Sequence, residues 1–384
     1  MTLIRKIKRF LDHSALDKTL RFTFNHIYKY KNIFLQKKNV ESFNDIVIFC
    51  YGGMGDNIIT FPMITKLCQN FNVHVFIEDK FKELSILLPK NCYFYNYSKK
   101  NLFSTLLKFR RKKIPNLLFI QQSPIFELFL FKMIMNVSAT IGFLYSHRDI
   151  NTLNLPQLSI KKNIINKVNG YEIIYEQIMT LPKLNRKPAK QYKKNNIFNI
   201  NKNFDFTFKY FTVSVSKNSS WEMGSIEPEE YYKAIKEIYI RTKLVPVFLG
   251  TNEDSSKINK VLSLIPKKIN FVNLVGKTNL VDLIGIVNKT EFTIANDNGI
   301  HHLSNFLEKK SITLFNFSSP LVYKWNNKNS LMVFKKKYRC MPCISKPNGP
   351  WDNVPFKCPY NIRCKNSLNA EDIINVFTKL KLSE

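Results

Sequence analysis

Three groups of residues in this sequence have the types and spacing to do chemistry. The first is Asp297-Asn298-Gly299 with His301 and His302, inside the stretch Glu291–Phe315. Phe292–Ala295 and Ile312–Phe315 are short apolar runs of strand character, and a helical spacing lies between them. Asp297 can then cap the helix, and Gly299 lets something approach the backbone closely. The amides and dipole of a helix start favour an anion such as a diphosphate, which a side chain at Gly299 would crowd. The same features fit any βαβ turn of a parallel sheet, and either histidine fits a core or helix-surface imidazole. The second group is Gly52-Gly53-Met54-Gly55-Asp56-Asn57, directly after the apolar run Asp45–Cys50. Its glycines do not follow the dinucleotide spacing G-x-G-x-x-G. Asp56 alone reads as a cap on a helix expected from about Ile58 to Asn70. The third group is Cys340-Met341-Pro342-Cys343 with Cys358 and Cys364. Four such thiolates can hold a tetrahedral structural zinc. Free thiols are the alternative, and two disulfides are disfavoured in a reducing compartment. Cys50, Cys68 and Cys92 are scattered and read as core.

These groups need elements to hold them. Asp45–Cys50, Val73–Glu78, Pro115–Gln121 and Ser138–Phe143 read as strands in the first half of the chain. Phe211–Val215 and Val245–Gly250 read as strands in the second half, ahead of the two flanking the Asp297 turn. Helices fall between them. Pro228, with Glu229 and Glu230, opens one, and Leu368–Leu380 forms the last. Alternating strand and helix means an α/β class with doubly wound parallel sheets and ligands at the strands' carboxyl ends. A length of 384 residues is too much for one ordinary core and suits two such domains. The expected division is a basic N-terminal extension (1–40), a first Rossmann-like domain (41–181) and a Lys/Asn-rich linker (182–208). A second Rossmann-like domain (209–366) carries the cysteine cluster, and a C-terminal helix (367–384) follows.

Lys and Arg number 59 against 28 Asp and Glu, a formal charge of +31. Nucleic acid, an anionic membrane surface and a phosphorylated substrate are the partners such a charge admits. No nucleic-acid-binding signature accompanies it, so nucleic acid is set aside. A Lys-, Asn-, Ile- and Phe-rich composition also fits codon bias alone. Leu3, Ile4, Ile7, Phe10 and Leu11 share one helical face amid Arg5, Lys6, Lys8 and Arg9. That face suits peripheral contact with an anionic inner membrane, or packing on its own domain. Arg110-Arg111-Lys112-Lys113 reads as a solvated face. No run of about eighteen apolar residues occurs and the N-terminus lacks a signal core, so a cytoplasmic location is expected.

Asp297-Asn298-Gly299-Ile300-His301-His302-Leu303-Ser304 resembles the D-[TS]-G-x-x-H-[LI]-[AST] signature of glycosyltransferase family 9, the heptosyltransferase-like enzymes. Met54-Gly55-Asp56-Asn57-Ile58-Ile59-Thr60-Phe61-Pro62 is similar to that family's N-terminal motif. The resemblance covers about 45–70 and 211–320, and hardly touches 71–210. It implies a GT-B fold, two Rossmann-like domains facing a cleft, with a last helix that crosses back to the first domain. It further implies an inverting transfer of a sugar, heptose from ADP-heptose, to a lipopolysaccharide core or related surface glycan. Asp56 would be the catalytic base, with Gly53, Met54, Gly55 and Asn57 in the acceptor-side loop. Donor contacts would come from Ser216, Lys217, Asn218, Ser219, Asp297, Asn298, Gly299 and His302. Glu253 or Asp254 would hold the ribose, the longer Glu253 preferred, and no cofactor would be required. Leu274-Val275-Gly276-Lys277-Thr278 matches a further turn, and Asn316–Pro320 sits where a Gly-Pro-Thr-type loop is found. Two departures stand out: Asn298 replaces a hydroxyl residue, and the lysine usual before the Pro228 helix is missing, with Lys217 as the substitute on offer. The alternatives are another GT-B activity, such as a nucleotide-sugar epimerase, and a non-catalytic basic binding protein on the same fold.

Overall fold

A computed structural model describes residues 44–50, 52–98, 100–114, 117–121, 134–135, 137–143, 157–160, 203–215, 226–323, 325, 327–342, 358 and 360–380, with a few positions between 172 and 179. The N-terminal amphipathic stretch, residues 182–202, Ser216–Ser219 and Cys343 lie outside these.

Two six-stranded parallel sheets organise the described chain. The first has the order β3-β2-β1-β4-β5-β6: β1 is Asp45–Phe49, β2 Asn72–Glu78, β3 Tyr93–Tyr97, β4 Leu117–Gln121, β5 Val137–Phe143 and β6 Gln157–Ile160. The second has the order β12-β11-β10-β7-β8-β9. Here β7 is Tyr210–Ser214, β8 Val245–Phe248, β9 Val272–Asn273, β10 Phe292–Asn296, β11 Lys310–Phe315 and β12 Ser330–Phe334. Counted from its own first strand, each sheet runs 3-2-1-4-5-6, the doubly wound order whose direction reverses between strands 1 and 4. In sheets of this order ligands bind beyond the carboxyl ends of the strands flanking that reversal, here β1 and β4, and β7 and β10. Among the described side chains those of β1, β7 and β10 are buried along nearly the whole strand, as in a sheet covered on both faces. The edges β3, β6, β9 and β12 were not expected from sequence, although β12 holds the apolar run Leu331–Phe334.

After β1 the chain turns at Gly52, whose φ of +103° suits glycine, and helix α1 begins at once as Met54–Ile58. The expected start at Ile58 was four residues late, because Gly53 is the N-cap and Asp56 reaches back to its amide at 3.0 Å. The helix then breaks. Pro62 has no N–H to continue the ladder, Thr60 Oγ1 donates to Asn57 O at 2.7 Å, and α2 runs Phe61–Leu67. A disulfide joins Cys68 to Cys92, which sequence placed separately in the core. A 3-10 segment, Asp79–Leu87, follows β2, and α3 is Leu102–Arg110. In the second half α4 is Pro228–Thr242, α5 Ser255–Leu262, α6 Leu280–Lys289, α7 Gly299–Phe306 and α8 Pro320–Tyr323. The last helix, α9 (Ala370–Phe377), does not cross back. Its Ile373 and Phe377 pack with Tyr231, Ala234 and Ile235 of α4, and Glu230 accepts from the Ala370 amide at 2.7 Å.

The halves meet where α1 and α7 begin. A Cβ on Gly55 would lie 2.5 Å from His302 Cδ2, and one on Gly299 would overlap Met54 Cε. Behind that contact Phe61 of α2 meets Phe306 of α7 edge-on, ring centres 5.6 Å apart. Only residues without a side chain allow this approach. Gly55→Val should therefore destabilise the protein by about 1–3 kcal/mol, as overpacking does. Chemical denaturation checks it, and an unchanged midpoint would mean that the helix starts are not in contact.

Candidate active site

Asp56, Asp297, Asn298, Gly299 and His302 all line one cleft of about 870 Å³ between the halves, together with Gly53–Gly55, Glu253 and Asp254. The two topological reversal points thus face each other. One Asp56 oxygen accepts from Gly53 N–H, which orients the carboxylate along the cleft wall. A carboxylate has about four lone-pair positions, of which this bond uses one. Asn57, buried, is tied by its amide to Gly53 O at 2.7 Å and stiffens the loop. Cys50, at the end of β1, is no rival nucleophile. Burial pushes its thiol up to about 12, against a smaller lowering by its hydrogen bond with Thr60.

At the opposite wall the cap is not Asp297. Asn298 is the N-cap of α7: its Oδ1 accepts from the amides of Ile300 (3.0 Å) and His301 (3.1 Å). Its Nδ2 donates to Ser214 Oγ at the end of β7, 2.9 Å away. One amide side chain thus ties the two central strands' ends together. Asp297 is left to face His302, whose Nε2 is 3.6 Å from Asp297 Oδ1, both side chains buried. Trp325 donates its indole N–H to His302 Nδ1 at 3.0 Å. His301 turns inward instead. Its Nδ1 lies 2.6 Å from Thr313 Oγ1 and 3.0 Å from Asn305 Nδ2, and its Nε2 3.3 Å from the Tyr323 carbonyl.

Asp297, His301 and His302 place ligand-type atoms within 4.8 Å of one another. They do not fit a metal. Both nitrogens of His301 and Nδ1 of His302 already serve hydrogen bonds, leaving fewer protein ligands than the three of a catalytic zinc site. Among the described residues the thiols of Cys340, Cys358 and Cys364 do not converge on a ligand set either. Cys340 and Cys364 share an apolar cluster with Phe317 and Met341, and Cys358 Sγ accepts from the Ile362 amide at 3.4 Å.

The two carboxylates after β8 separate by role. Asp254 Oδ2 accepts from Thr251 N (2.8 Å) and Oγ1 (2.9 Å), so Asp254 caps its own turn, while Glu253 is exposed on the cleft rim. Beside them Asn252 lies over Gly276, whose φ of +70° and lack of a side chain make room for it. Sequence reasoning missed Asn252 and Asn279 as lining residues, along with Tyr323 and the trio Lys80, Phe81 and Glu83. That trio directly follows β2 at the sheet's carboxyl edge, and the rule placing ligands there would have found it. Lys80 pairs with Glu78 at 2.6 Å and lies over the Phe81 ring. Arg110–Lys113 are not part of the lining, and Lys112 instead donates to Tyr95 OH at 2.9 Å.

Comparison with solved structures finds the same architecture. The ADP-heptose LPS heptosyltransferase II of Escherichia coli superposes with a TM-score of 0.60 at 15% identity, covering 75% of this chain and 90% of that one. The family 9 glycosyltransferase of Veillonella parvula gives 0.63 at 15% identity, over 90% and 99% of the two chains. The E. coli heptosyltransferase WaaC with ADP gives 0.61 at 12% identity, over 88% and 100%. At such identities these likenesses establish the GT-B fold. A search of curated proteins gives no match by sequence. The sequence pattern of glycosyltransferase family 9 (heptosyltransferase) matches residues 130–350, a span that holds the Asp297 turn but begins beyond Asp56. With more than half of its length matched, this chain belongs to glycosyltransferase family 9.

Proposed function

We propose that this glycosyltransferase moves heptose from ADP-heptose to a lipopolysaccharide core or related surface glycan, with inversion at the anomeric carbon. The observation that carries the reading is the opposition of Asp56 and the Asp297–His302 turn across one cleft. An acceptor hydroxyl would attack the anomeric carbon as the bond from that carbon to the diphosphate oxygen breaks. Asp56 would take the hydroxyl proton as general base, and ADP would leave with the bonding pair. The amides of Ile300 and His301 already serve Asn298, so a diphosphate at the start of α7 would draw on the Gly299 amide and the helix dipole. His302 would add a side-chain donor. Ser216–Ser219, after β7, would supply the remaining phosphate contacts, with Lys217 as their cation. Glu253 would accept from the ribose hydroxyls, a better candidate than the turn-capping Asp254.

No described helix is long and apolar enough to cross a membrane. A glycolipid acceptor would be reached by peripheral contact at the inner face, where the basic surface favours anionic lipid. The domain limits given above remain part of this proposal.

Asp56→Asn keeps the oxygen that caps Gly53 and loses the base. Turnover should fall by about 10²–10⁴-fold with ADP affinity nearly unchanged. Near-normal turnover would leave Asp56 as a cap only. Titration of ADP, GDP and UDP separates the enzyme from a binding protein on the same fold. ADP should bind, and Glu253→Gln should weaken it by about tenfold. Failure of all three nucleotides to bind would overturn the donor assignment. Gly299→Val, suggested by sequence, is a poor probe, because its first collision is with Met54 rather than with phosphate.

A further inference from the structure

His302 is held from two sides. Trp325, itself buried, donates its indole N–H to Nδ1 at 3.0 Å, and Gly55 leaves room for the opposite edge of the ring. An indole nitrogen can only donate, so Nδ1 must be the unprotonated nitrogen. A proton there would set two N–H groups against each other. The ring proton therefore sits on Nε2, which points to Asp297 Oδ1 at 3.6 Å on the cleft wall. Among the described residues the titratable neighbours of His302 include Asp297, His301, Tyr323 and Asp56. Asp297 lies on the preceding turn, and the His301 ring centre is 4.6 Å away. The Tyr323 ring centre is 6.4 Å away, and Asp56 follows Gly55 across the domain contact. His301 has its own partners and cannot take over the role.

We propose that Trp325 is a positioning residue: its indole N–H locks His302 in the Nε2–H tautomer and holds that N–H toward the cleft, where it donates to an oxygen of the bound donor. The second half of this statement rests on the donor assignment above, and the first half does not. Trp325 lies beyond the family signature, two residues past α8, and reaches back to the signature's histidine through the fold. An imidazole free to exchange tautomers would present a lone pair to an electron-rich diphosphate for part of the time. The indole removes that state.

The test is a two-bond proton–nitrogen correlation spectrum of the full-length, ¹⁵N-labelled protein, with the His302 signals assigned from their loss in His302→Gln. The expected wild-type pattern is an unprotonated Nδ1 and a protonated Nε2, and a protonated Nδ1 would overturn the proposal. Trp325→Phe should convert this fixed pattern to an averaged one, and an unchanged pattern would also overturn it. With ADP-heptose, the Phe variant should show kcat lowered about fivefold and KM little changed, the loss expected for one neutral hydrogen bond. Equal kcat would remove the positioning role. Absence of wild-type turnover would fall on the donor assignment, and the tautomer measurement on free protein would still decide the lock. If the Phe variant does not fold, the wild-type spectrum decides alone.

Discussion

Two helix starts, α1 and α7, touch through glycines, and the active-site geometry depends on that contact. Gly55 lies against His302 and the Gly299 Cα, and Gly299 lies against Met54. The approach brings Asp56, on the turn after β1, opposite Asp297, on the turn after β10. Each turn is placed by its own sheet, at the strand end where the winding reverses. Neither half has a complete site. The two edges come this close because a glycine on each side leaves room for a side chain from the other, His302 at Gly55 and Met54 at Gly299.

Polar groups make this contact rigid. Asn298 satisfies two first-turn amides of α7 and grips Ser214 on β7, so the turn after β10 is fixed to the neighbouring strand. Tyr231 of α4 donates to Asn296 Oδ1 just before that turn, and burial raises its phenol far above the ordinary range. On the other wall Gly53, Asp56, Asn57 and Thr60 close a chain of short bonds around α1. Such networks hold the side chains of both cleft walls in place before any ligand arrives, which suits the displacement proposed above.

Much of this was readable from sequence because the central strands are mostly apolar and the two turns carry glycines with acidic neighbours. The edge strands were not, since β3 is only partly buried, with Tyr93 and Asn96 exposed. The cap of α7 was assigned to Asp297, because Asp and Asn cap equally well and only φ/ψ tells which residue stands at the start. The Cys68–Cys92 pair depends on the proximity of α2's end to the loop before β3, a tertiary fact. Lys80, Phe81 and Glu83 look like an ordinary polar loop until β2 is seen to end at the cleft. The +31 charge told least: Arg110–Lys113 sit on exposed surface away from the cleft lining.

The central claim is that the donor's diphosphate binds at the start of α7, across one cleft from Asp56. Hydrogen exchange of the full-length protein with and without saturating ADP tests it most directly. The account predicts added protection at the start of α7 and in the turn after β8 that carries Glu253. Unchanged exchange at the start of α7 at saturating ADP would contradict it.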